Sequence, residues 1–171
     1  DKPIISLEAG GGSFDTHKES GNVSGQWKNS WYSLGASNLE SNGFAPKVIA
    51  PLGVANQGGY NNTALNARAG HRFDNNAEIE ASFMRAEGLN LLTGYSINDV
   101  NSRQFVNQMV GTSLVWDMLD NWRSTLRFGQ TRDESSFLGS PVSENNTVIN
   151  TTRWNASWLN QLKLSDKHSA T

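Results

Sequence analysis

Cysteine is absent from the 171 residues, which removes disulfide frameworks and thiolate metal sites at once. Long hydrophobic runs are absent too. Only 36% of the chain is hydrophobic and the mean hydropathy is -0.53, so nothing approaches the ~20 apolar residues of a membrane-spanning helix. Charge of one sign is lacking: the net value is -2, which gives no basic field for nucleic acid. Helical periodicity is missing along the whole length. Low aromatic content, the mark of disorder, is not found, because the chain holds six Trp and seven Phe. The start, DKPIISLEAGGG, has neither the basic region nor the apolar core of a signal peptide.

What is present is alternation. In ALNARAGHRFDNNAEIEASF, residues 64–83, Leu65, Ala67, Ala69 and Phe73 share one face, and Ala77, Ile79, Ala81 and Phe83 continue it after an Asp-Asn-Asn stop. The other face carries Asn66, Arg68, Arg72, Glu78, Glu80 and Ser82. The same period of two recurs in Ile5–Ala9, Val23–Trp27, Tyr32–Ala36, Val106–Trp116, Trp122–Phe128 and Trp154–Leu164. About eight strands are expected. Short turns fall near Lys28, Asp74, Asp120 and Ser165. Longer connections are expected near Phe14 and over residues 40–60, 88–103 and 133–146. Short turns at one end and long loops at the other are the pattern of an outer-membrane barrel. With no spanning helix, a closed barrel wall is the one membrane option left, because backbone groups in lipid must all be paired.

The two faces decide between a membrane wall and a soluble sandwich. A sandwich core would be filled by bulky Val, Ile and Leu. Here the apolar face is thin in the middle, at Ala36, Ala67, Ala69, Ala81 and Ala156, and aromatic near the turns, at Trp27, Phe73, Trp116 and Trp122. That distribution suits lipid with an interfacial girdle. The apolar face is therefore expected to meet lipid, and Arg68, Arg72, Glu78, Glu80, Arg123 and Arg127 are expected to line a hydrated lumen. The fold class expected is all-β: an antiparallel up-and-down meander forming part of a transmembrane β-barrel.

Laid out as hairpins, the chain resembles the TonB-dependent outer-membrane receptors, most closely their vitamin B12 (cobalamin) branch. The residues that carry this are SLEAGGGSFDTHKESGNVSGQ, SLGASNLESNGF, GGYNNTALNARAGHRFDNNAEIEASFMRAEG, LDNWRSTLRFGQTRDES and WNASWLNQLKLSD. The resemblance implies a bacterial outer-membrane location and a 22-stranded barrel with a plugged lumen. Residues 1–171 would be its first hairpins, with the plug and the remaining strands outside the chain. It implies uptake of a small nutrient, cobalamin first, driven by the TonB complex acting on the plug. It implies no catalysis. Calcium at the outer loops would also be implied, but the matching segment, Ala55-Asn56-Gln57-Gly58-Gly59-Tyr60, has Asn and Gly in place of carboxylates, so no cofactor is assigned. A siderophore receptor, a small eight-stranded barrel and a secreted carbohydrate-binding β-sandwich are the competing readings.

Other chemistry is weakly encoded. Gly10-Gly11-Gly12 lacks the Lys-Ser/Thr of a phosphate loop and reads as strand glycines. His17, His71 and His168 are too scattered for zinc, so no metal site is expected. Asn98-Asp99 and Asp133-Glu134 lack the spacing of a calcium loop. Glu78 and Glu80 are ~6.6 Å apart along a strand, near the gap of an inverting glycosidase, yet Arg68 and Arg72 stand ready to pair with them. Tyr60, Tyr95 and Asp99 are the ligand-facing loop candidates; the tyrosines could equally belong to an outer aromatic belt.

Overall fold

Turn chemistry sets the chain into hairpins. Phe14 and Asp15, Lys28 and Asn76 all take positive φ, between 52° and 62°, which lets tight connections match the twist of the flanking strands. Beyond the turns the alternation holds the backbone extended. The computed structural model describes residues 2–43, 48–49, 54–55, 58–93, 100–139 and 146–171. Its strands are β1 (Ile4–Gly12), β2 (Thr16–Trp27), β3 (Ser30–Ser41), β4 (Val48–Ile49), β5 (Val54–Ala55), β6 (Tyr60–Arg72), β7 (Glu78–Thr93), β8 (Val100–Leu119), β9 (Trp122–Leu138), β10 (Thr147–Ser165) and β11 (His168–Ala170).

Nine of these form one antiparallel meander in the order β1-β2-β3-β6-β7-β8-β9-β10-β11, and β4 pairs β5 separately. The sheet is all-β and open, as a section of barrel wall would be. About eight strands were expected; the ninth, β11, is too short to show alternation. Two of the connections, those expected over 88–103 and 133–146, are also shorter than expected. β7 runs on to Thr93, β8 starts at Val100, and β9 continues to Leu138 before β10 resumes at Thr147. Within the connection expected over 40–60, β4 and β5 form a small hairpin.

The register shows how the sheet is sheared. One row of facing residues runs Trp27–Ser30–His71–Ile79–Leu114–Leu126–Trp158 across β2 to β10. Along it, Lys28 lies one residue past Trp27, Asp74 three past His71, Asp120 six past Leu114 and Asp166 eight past Trp158. The hairpin tips slip steadily by about one residue per strand. With a rise of ~3.3 Å per residue and ~4.8 Å between strands, the strands tilt about 40° from the normal to the line of tips. Barrel closure requires a tilt of this size.

No second layer covers the sheet among the described residues, and none of their hydrophobic side chains is buried. Leu65 and Ile79 are exposed, and Phe83 and Leu126 are only partly covered. A sandwich would bury all four. The closed eight-stranded alternative does not match either, since β1 and β11 are open edges.

Candidate functional site: the two faces of the sheet

Facing pairs place all six charged candidates on one side. Arg72 stands opposite Glu78, and Arg68, one pair along from Gly70–Glu80 on each side, reaches across the diagonal. The resulting ion pairs are Arg72–Glu78 at 2.9 Å and Arg68–Glu80 at 2.7 Å. Trp31 lies in register with Gly70 and Glu80, and its indole N–H donates to the Glu80 carboxylate at 3.3 Å. Gly70 permits this, because a Cβ there would enter the Trp31 ring. Arg123 faces Asp117 at a looser 3.8 Å. Arg127 has no ion-pair partner among the described residues.

At the far end of the same face, Tyr60 stacks on Phe105 with ring centroids 6.4 Å apart. Arg103 lies over Phe137 at 5.3 Å and donates to Ser135 at 3.0 Å. Sequence reasoning missed Arg103, Phe105 and Phe137, since the register that joins them to Tyr60 couples strands some forty residues apart. Tyr95 and Asp99 lie outside the described residues, as do Asn56 and Gln57. No group of three or more metal-binding side chains occurs among the described residues.

The opposite face is apolar within limits. Counted from the tips, and with Asn160 of β10 the exception, the first charged or amide residues toward the loop side of this face include Glu19, Asn38, Arg85, Gln108 and Gln130, nine to twelve residues away. About ten residues of a strand tilted ~40° rise about 25 Å, which is the height of a barrel's lipid-facing band. Past that limit the same face carries the ion pairs Arg85–Glu87, at 2.8 Å, and Arg132–Glu134.

Several polar groups inside the band are internally paired, as hydrocarbon would require. Thr112 Oγ1 donates to the Glu80 carbonyl at 3.0 Å. Ser30 Oγ and His71 Nδ1 share a bond of 2.7 Å. Ser124 is fully buried; it donates to Asn160 Oδ1 at 3.1 Å and accepts from the Trp158 indole at 2.8 Å. The Trp122 indole donates to the same Asn160 oxygen at 3.0 Å. Leu34, Leu65, Ile79, Leu114 and Phe128 stand exposed on the apolar face, and Trp31, Tyr60, Phe105 and Phe137 on the polar face are partly covered.

No helix among the described residues is long and apolar enough to cross a membrane, which leaves strand crossing untouched. Compared with protein-family models and with the curated proteins, the chain matches none.

Proposed function

We propose that this chain is a section of the wall of a TonB-dependent outer-membrane receptor, with cobalamin as the leading substrate. The observation that carries the reading is the exposed apolar band, about 25 Å tall on strands tilted ~40°, with ion pairs beyond its loop-side limit and no protein layer over it among the described residues. A soluble protein has no use for such a face; lipid covers it without further contacts. The polar face, with Arg68–Glu80, Arg72–Glu78 and Arg127, then lines the wet interior. Substrate docks from the loop side, the TonB complex acts on the plug, and the wall does no covalent chemistry. The identification of a receptor, rather than another large barrel, rests on the hairpin segments quoted above.

A siderophore receptor is the second reading, favoured by the Asn and Gly at residues 56, 58 and 59 where cobalamin receptors place carboxylates. Deleting the gene that encodes the chain, then measuring labelled cobalamin and ferric-siderophore uptake, separates the two. Loss of cobalamin uptake, restored by the gene and abolished by a protonophore, is the expected result. Loss of siderophore uptake alone supports the second reading. Intact uptake of both, or recovery of the protein in the soluble fraction, refutes the proposal.

A further inference from the structure

The apolar band has one pronounced depression, about 760 Å³, within the size range of ligand-binding concavities. Its floor is Ala67, Ala69 and Ala81, and its walls include Tyr32, Phe128 and Trp154. Small residues on two adjoining strands, β6 and β7, create the hollow, and aromatic rings stand around it. One register step toward the loops lies the row Arg85–Gln108–Arg132, facing one another across β7, β8 and β9.

We infer that this face binds a phosphate-headed lipid, with an acyl chain in the depression and the head group on Arg85, Gln108 and Arg132. A guanidinium has five N–H donors. Arg85 spends Nε and Nη2 on Glu87 and one Nη1 hydrogen on Gln108, so two N–H groups remain. Arg132 is joined to Glu134 through Nη2, leaving further donors. The two arginines stand two strands apart, ~10 Å at the backbone, a span that long side chains close around a phosphate. Their carboxylate partners point one step farther from the band.

Those partners also choose the source of the phosphate. Two arginines and two glutamates sum to no net charge, so the cluster does not draw free anions from solution. The head group must arrive already held at the band margin, delivered by its own acyl chain. A lipid meets that condition and inorganic phosphate does not.

This inference rests on the lipid-facing reading of the apolar side. Its test uses the full native polypeptide reconstituted in phosphatidylcholine vesicles containing spin-labelled phosphatidic acid or spin-labelled phosphatidylcholine. The motionally restricted spectral component should favour phosphatidic acid about fivefold. R85Q/R132Q should bring the preference near parity while the total restricted lipid is unchanged. A81F, which fills the hollow and leaves the arginines in place, should lower it too. No preference in the native protein, a preference surviving R85Q/R132Q, or its displacement by inorganic phosphate would overturn the inference. Failure of the protein to float with the vesicles overturns the wall reading as well, and flotation registers that before any spectrum is taken.

Discussion

Asn160 accepts two hydrogen bonds on the apolar side of β10, where its neighbours along the strand are Trp154, Ala156, Trp158 and Leu162. Removing its side chain leaves the buried Ser124 hydroxyl and the Trp122 indole without that partner. Asn160→Ala is expected to cost ~1–3 kcal/mol, and the S124A/N160A pair less than the sum of its parts, because removing both partners leaves fewer orphaned groups. Denaturant unfolding of the folded polypeptide in micelles measures both. Gly70 makes a second residue-scale prediction. Gly70→Ala should displace the Trp31 indole from Glu80 and shift its fluorescence, whereas adding Gly70→Ala to Trp31→Ala should cost little. Neither arrangement was legible in the sequence. Ser124 and Asn160 read as ordinary polar residues, and the register that joins them spans 36 residues of chain.

At the scale of elements, the alternation revealed the faces and the turn residues revealed the tips. Beyond the apolar band alternation lapses, as at Leu91-Leu92 and Ser135-Ser136. That is why the loop-side ends of β7 to β10 were read as connections. The arginine–glutamate contacts were anticipated from facing residues on neighbouring strands, but the reach of Trp31 across Gly70 was not. Face identity has a direct test. Ala81→Arg, in the apolar band, should destabilise the membrane-inserted protein by ~2–4 kcal/mol. Ser82→Arg, one residue along on the polar face, should cost far less. Equal costs would reject the assignment of faces.

For the whole molecule, the absence of cysteine from these 171 residues leaves no background thiol among them for single-cysteine labelling. Cysteines placed at Asn75 and Asn121 should resist an impermeant maleimide in intact cells and react after the outer membrane is opened. Cysteines at Ser13 and Asn146 should react in both. A mixed pattern among the tips would rule out the wall topology. The isolated 171-residue chain should show no cooperative thermal transition in plain buffer, because its described residues bury no hydrophobic side chain and its edges stand unpaired. Calorimetry settles that point.

Strand length also increases along the chain, from 12 residues in β2 to 20 in β8. With the tips level, eight more residues lift the loop-side end of β8 by about 20 Å over that of β2. The rim is thus a ramp, low beside Thr16 and high beside Val100. On the proposed reading as a receptor wall, a substrate arriving at the loop side meets the tall parapet of β7 to β10 first and the lower ends of the described strands at β2 and β3.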